Sequence, residues 1–201
     1  SVSPAEKEKI ETVVHEYLLK NPQVIVEAIQ LLQRKQYDDA EKAVKQTQMD
    51  AAKYAPALFR MQADPVVGNK DGTITVVEFF DYQCPHCVDM SPVLTNAVKN
   101  NPEVRVIFKE FPIRGPLSDF ASRAALAANM QGKYVAFHDE LMKTKQPYTQ
   151  ESILAAAKTV DLNLDKLQKD MDSAAVKDQI KANMKLGQDL KLLGTPAFFI
   201  G

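Results

Sequence analysis

Two cysteines stand three positions apart in Cys84-Pro85-His86-Cys87, and they are the only cysteines of the 201-residue chain. A disulfide between residues this close encloses too small a loop to stabilise a fold much, so the value of the pair is chemical. Thiol-disulfide exchange needs a thiolate nucleophile, a second thiol near enough to resolve the mixed disulfide, and access for a protein substrate. The spacing supplies the two thiols. If Cys84 ends a turn and Pro85 opens a helix, the Cys84 sulfur meets unpaired backbone N–H groups and the positive end of the helix dipole, and both favour the anion. Cys87, one turn further, is then the more buried, resolving thiol. His86 lies between them, where its ring N–H or its charge adds to thiolate stabilisation. A stabilised thiolate favours the dithiol form and makes the couple an oxidising one.

Two further groups stand within reach of this chemistry. Glu78 interrupts an otherwise apolar run, Thr73 to Phe80, six residues before Cys84. A buried carboxylate is costly unless hydrogen-bonded or functional, and its candidate role is proton acceptor for Cys87; the alternative is a glutamate on an edge or facing solvent. Gly194-Thr195-Pro196 precedes a short apolar segment, Ala197 to Ile200. A proline there would deny a ladder hydrogen bond, which points to a tight turn in which a cis peptide fits. A CxxC pair is also half of many zinc sites, but no second pair exists here. His15 and His138 are single residues on helical patterns and are expected on solvated faces, so no metal site is predicted. Transient Cu(I) binding or simple holding of unfolded chains is the competing reading, since soft thiolates select Cu(I).

The elements that must position these residues are legible in the spacing. Ser3-Pro4-Ala5-Glu6 is a helix start with a capping box, and Ile10, Val13, Val14, Tyr17 and Leu18 follow at helical spacing. Asn21-Pro22 repeats the signal before Val24, Ile25, Ala28, Ile29, Leu31 and Leu32. A more polar helix is predicted to run on to about Met61. A helical arm with this apolar first part needs a partner surface, so self-association is expected. Turn residues from Asp64 to Gly72 then mark a boundary. Thr73 to Phe80 reads as a strand buried on both faces, Pro85 to about Lys99 as a helix and Val104 to Phe111 as a second strand, giving a βαβ unit whose first turn carries the cysteines. From Leu117 to Leu193 every segment is helical in pattern, and the return to a strand at Ala197 makes that stretch an insertion.

Composition narrows the partners. Lys and Arg number 25 against 26 Asp and Glu, so no charge excess points to nucleic acid or an anionic membrane. No apolar run approaches a membrane span, and the first residues lack a basic segment followed by an apolar one, so the chain reads as soluble and mature with any signal peptide removed. No cofactor is implied.

The stretch Val76-Val77-Glu78-Phe79-Phe80-Asp81-Tyr82-Gln83-Cys84-Pro85-His86-Cys87, with Gly194-Thr195-Pro196, resembles the DsbA-like branch of the thioredoxin superfamily. The resemblance covers roughly Val66 to Gly201. It implies an α/β thioredoxin fold with an inserted helical domain at about 116–193, Cys84 as attacking and Cys87 as resolving cysteine, Glu78 as the buried acid, and Pro196 as a cis-proline facing the disulfide. Tyr17-Leu18-Leu19-Lys20-Asn21-Pro22 resembles the oligomerising segment of ScsC-like and dimeric DsbA proteins, which implies an N-terminal helical arm over residues 1–62, a homodimer or homotrimer, and isomerase activity beside oxidation. Thr195 before the proline is similar to the DsbC-type isomerases. The domain then occupies residues 63–201, and against the family's core a further strand and the last helix would follow Gly201. Periplasmic location, secreted proteins with missing or wrong disulfides as substrates, and a membrane redox partner of DsbB or DsbD type are what the resemblance further implies.

Overall fold

The computed structural model describes residues 2–201, and Ser1 lies outside the described residues. The chain divides into two compact units, residues 1–46 and 47–201.

The first unit is helical. Helix α1 (Pro4–Lys20) starts on the predicted capping box: Glu6 N–H donates to Ser3 Oγ at 3.4 Å and Ser3 N–H donates to the Glu6 carboxylate at 2.9 Å. It stops at Asn21, whose backbone N–H and side-chain amide both donate to the Tyr17 carbonyl. Helix α2 (Gln23–Met49) follows directly after Pro22. Nothing on α1 is buried, and Ile10, Val13, Val14, Tyr17 and Leu19, with Ile25, Val26, Ile29, Leu31 and Leu32 of α2, are exposed within the chain.

Helix α2 ends at Met49, short of the predicted Met61. A 3-10 turn (Ala51–Lys53) and a short helix α3 (Ala55–Phe59) replace its last part, with Pro56 in the first turn of α3. The predicted boundary at 62/63 thus falls inside the second unit, and the reason is packing. Leu58 is fully buried against Val77, Phe79 and Ile107 of the sheet. Lys109 of the sheet, itself buried, pairs with buried Asp64 and donates to the Ala57 carbonyl at 2.6 Å. The segment from Ala57 to Asp64 is therefore held by the sheet.

The sheet has four strands, β1 (Val66–Gly68), β2 (Ile74–Phe80), β3 (Val104–Glu110) and β4 (Ala197–Ile200), in the order β1-β3-β2-β4. Strands β2 and β3 are parallel, joined through α4 (Pro85–Asn100), while β1 and β4 flank them antiparallel. β1 lies in the segment read as turns. It ends at Gly68 with φ +91°, where a Cβ would stand 2.7 Å from the Val104 carbonyl oxygen, so glycine is required. Between β3 and β4 come α5 (Pro116–Met130), α6 (Tyr134–Lys143), α7 (Gln150–Thr159), α8 (Leu164–Met171) and α9 (Ala174–Asp189). Buried alanines at 121, 124, 125, 127 and 128 let α5 run through the middle of this layer, because small side chains allow helices to approach from several sides.

The pleat of β2 decides what faces the cysteines. Val77 and Phe79 pack with α3, Phe111 and the end of α9, whereas Phe80 packs with Phe108, Cys84, Cys87 and the inserted helices. Alternation places Glu78 on the same face as Phe80. This is a thioredoxin fold with an inserted helical layer and a preceding helical arm.

Candidate active site

β2 ends at Phe80 and the chain turns through Asp81, Tyr82 and Gln83 into Cys84, the N-cap of α4 with extended backbone. Pro85 takes the first helical position, where its lack of an N–H costs nothing. The turn is closed by Cys84 N–H donating to the Asp81 carbonyl at 3.0 Å. Asp81, fully buried, braces it: its carboxylate accepts from the backbone N–H groups of Gln83, Ile113 and Arg114 at 2.7, 2.8 and 2.9 Å and from the Ser118 hydroxyl at 2.6 Å.

Both cysteines are free thiols and both are buried, while Pro85 and His86 between them stand exposed. Cys84 Sγ–H donates to the carbonyl oxygen of Thr195 at 3.4 Å, and the Thr195–Pro196 peptide is cis. The loop before β4 is thereby brought over the start of α4 from 111 residues away. Thr195 and Pro196 are half-buried there.

The two sulfurs differ in acidity. Burial raises the pKa of Cys84, but side-chain hydrogen bonding from Thr195, the backbone N–H of Cys87, the Cys87 side chain and the backbone N–H of His86 outweigh it and leave the thiol more acidic than usual. Cys87 is pushed up to about 12, first by burial and then by its neighbour Cys84. One thiol is thus disposed to ionise and the other to hold its proton. The backbone N–H of His86 thus takes part in this balance, and its side chain stands exposed between the two cysteines.

Glu78 lies in the middle of the sheet, paired with Phe108 of β3 and Phe198 of β4, and is 2% exposed. The edge alternative is thereby excluded. Its Oε1 has no hydrogen-bond partner. Burial first, and the charge on Cys84 second, push its pKa up to about 8, so that it carries a proton at neutral pH.

A second set of buried polar groups was not anticipated from the sequence. Glu110, at the end of β3 and fully buried, accepts from the Tyr134 hydroxyl at 2.6 Å, the Tyr82 hydroxyl at 3.2 Å and the Ser122 hydroxyl at 2.8 Å, and burial pushes its pKa up to about 8. His138, expected on a solvated face, is 3% exposed and sits among Phe80, Tyr82, Phe108 and Tyr134 with Nδ1 2.9 Å from the Tyr82 hydroxyl. Burial depresses its pKa to about 3, so the ring is neutral. The signal was present: Tyr134, Phe137, His138 and Leu141 recur at three-four spacing, which puts His138 on the apolar stripe of α6.

The comparisons with known proteins agree with this geometry. Residues 75–201 match the family described as the DSBA-like thioredoxin domain. The chain belongs to that family. Residues 6–38 match a second one, described as the copper resistance protein ScsC N-terminal domain. Among solved structures, the DsbA-like chain is similar to a thioredoxin-like oxidoreductase from Silicibacter pomeroyi, with 43% identity and a TM-score of 0.70 over 72% of this chain and 84% of that one. It is also similar to Proteus mirabilis ScsC in a transitional conformation, with 31% identity and a TM-score of 0.71 over 100% of this chain and 88% of the other. A probable disulfide bond formation protein D from Bacillus anthracis is 26% identical over 71% of this chain and 72% of its own length. The chain spans only 21% of the length of two Na+/H+ antiporters of Salinispora that it matches at 27% and 29% identity over 68% of this chain. Among the described residues no helix is long and apolar enough to cross a membrane.

Proposed function

We propose that this DsbA-like chain is an extracytoplasmic protein-disulfide oxidoreductase and isomerase, with Cys84 as the attacking and Cys87 as the resolving cysteine. The observation that carries the reading is the acidity difference between two thiols at the start of one helix, with Thr195 of the cis peptide on the sulfur of the more acidic one. In the oxidising direction, a substrate thiolate attacks Cys84 Sγ of the Cys84–Cys87 disulfide. The S–S bond breaks, and Cys87 leaves with the electron pair and takes up a proton. A second substrate thiolate then attacks the substrate sulfur of the mixed disulfide and releases Cys84 as thiolate, its stable form. Glu78 stands on the face that holds the cysteines and titrates near neutrality, which suits it to exchange the Cys87 proton. Proteins acquiring or correcting disulfides are the substrates, and an oxidising compartment such as the periplasm is where such a couple serves.

The exposed apolar residues of α1 and α2 support self-association of the arm, which would set several active sites around one misfolded substrate and so favour isomerisation. A membrane protein that re-oxidises or reduces the cysteines completes the cycle. Copper binding by the two thiols is the second reading, since soft thiolates select Cu(I) and residues 6–38 match the copper resistance protein ScsC N-terminal domain.

Insulin reduction and refolding of scrambled ribonuclease test the proposal together. The intact chain is expected to be active in both, and Cys84→Ser in neither; a Cys84→Ser protein with undiminished activity, or an inactive wild type, overturns it.

A further inference from the structure

We infer that Glu110 is a positioning residue for the Cys84 thiol, acting through the hydrogen-bond chain that joins its carboxyl to Tyr82 and His138. The inference rests on Cys84 being the reactive thiol.

The chain is continuous and its side chains are buried. The hydroxyls of Tyr82 and Tyr134 both reach Glu110 Oε1, at 3.2 and 2.6 Å, Ser122 holds Oε2 at 2.8 Å, and His138 Nδ1 lies 2.9 Å from the Tyr82 hydroxyl. With the Tyr82 hydroxyl donating to Glu110, the neutral imidazole in its Nδ1–H tautomer donates to the Tyr82 oxygen, so the phenol is held from both sides. Asn183 of α9 holds the Glu110 backbone carbonyl at 3.1 Å, so the carboxyl itself is carried on a fixed strand end.

What this chain grips is the turn that delivers the nucleophile. Tyr82 is two residues before Cys84, and its backbone carbonyl accepts from Gln146 Nε2 at 3.1 Å. Asp81 beside it is held by the 113–114 loop and by Ser118. The turn is thus anchored at both residues, one by a carboxylate of its own and one by a carboxyl reached through a phenol. The Cys84 sulfur depends on this placement, since the N–H groups of His86 and Cys87 and the Thr195 loop must all converge on it. A phenylalanine at 82 would fill the same space and keep the packing against Phe80, whose ring lies edge-on at 5.0 Å. A core that needed only volume would not bury a carboxyl, an imidazole and two phenols together, because replacing such groups by apolar ones of equal shape is often neutral or stabilising. The gain is orientation of the turn.

The test reads Cys84 itself in the full-length protein, without substrate, by thiolate absorbance and iodoacetamide alkylation against pH. Tyr82→Phe and Glu110→Gln are each expected to lower the alkylation rate below the Cys84 midpoint about threefold and to move the glutathione equilibrium towards the disulfide by a similar factor, as the thiolate loses its aligned donors. The double variant shifts no further than the larger single one, since both cut one link. Leu167→Ala, which empties a fully buried site on α8, lowers the melting temperature and leaves the Cys84 titration at the wild-type value. Wild-type titration in both Tyr82→Phe and Glu110→Gln overturns the inference, as does an equal shift in Leu167→Ala. Glu110→Gln, which keeps the shape of the side chain, carries the test by itself if Tyr82→Phe does not fold. Because no substrate is present, this outcome is independent of whether disulfide exchange with proteins is observed.

Discussion

Glu78 and Glu110 are both pushed to about pH 8 by burial, yet one lacks a hydrogen bond to Oε1 and the other has three hydroxyl partners. The consequence for stability has the same sign in both. Between the ordinary value of 4.5 and about 8, the folded chain binds more protons than the unfolded chain at these two sites, so stability falls as pH rises through that window. His138 acts oppositely. Its folded value of about 3 lies below the ordinary 6.5, so the unfolded chain binds more protons there, and stability is lost as pH falls through that range. Urea titrations from pH 3 to 9 should therefore show stability declining on both sides of a weakly acid maximum. Glu78→Gln is expected to flatten the alkaline decline by an amount on the order of a few kcal/mol, Glu110 supplying the remainder. An unchanged slope in Glu78→Gln would mean that the carboxyl is ionised in the folded chain at neutral pH.

At the scale of elements, α9 shows how a local rule yields to packing. Gly187 lies inside this helix, where replacement by alanine ordinarily stabilises by about 1 kcal/mol. Here a Cβ would stand 2.6 Å from Cζ of Phe111, a residue of the core on that side of the sheet. Overpacking of this kind costs about 1–3 kcal/mol, so Gly187→Ala is expected to lower the melting temperature, opposite to the propensity rule. Helix α4 obeys its local rules at the start, with Cys84 at the cap and Pro85 in the first turn, and this start is what places the sulfur. The arm helices do likewise, from the capping box at Ser3 to the close at Asn21.

At the scale of the molecule, the first unit carries an apolar face that nothing within its own helices covers. Full-length Ile29→Glu/Leu32→Glu is expected to sediment as a smaller species than the wild type while keeping insulin reduction and losing most ribonuclease isomerisation. Unchanged sedimentation would remove the proposed arm interface, and unchanged isomerisation would separate that interface from function. Truncations meant to remove the arm should stop at residue 46, because cutting to residue 60 would also take Leu58 out of the core.

Sequence by itself determined what is local: the capped helix starts, the alternation of strand and helix around residues 73–111, the cysteine pair at a helix start, and Glu78 as an anomaly in a strand buried on both sides. Each depends on residues within a turn or two of one another, where spacing carries the physics. Only the tertiary structure decided what converges from afar. The Thr195 carbonyl on Cys84, the Asp64–Lys109 pair that moves the unit boundary, the short edge strand β1, and the buried Glu110, Tyr82 and His138 join segments tens of residues apart. A charged or polar side chain looks alike in sequence whether it faces water or a buried partner. Its state is decided by what the fold brings beside it: the Cys84 thiol meets the Thr195 carbonyl, and the turn before it is held from Ile113, His138 and Gln146.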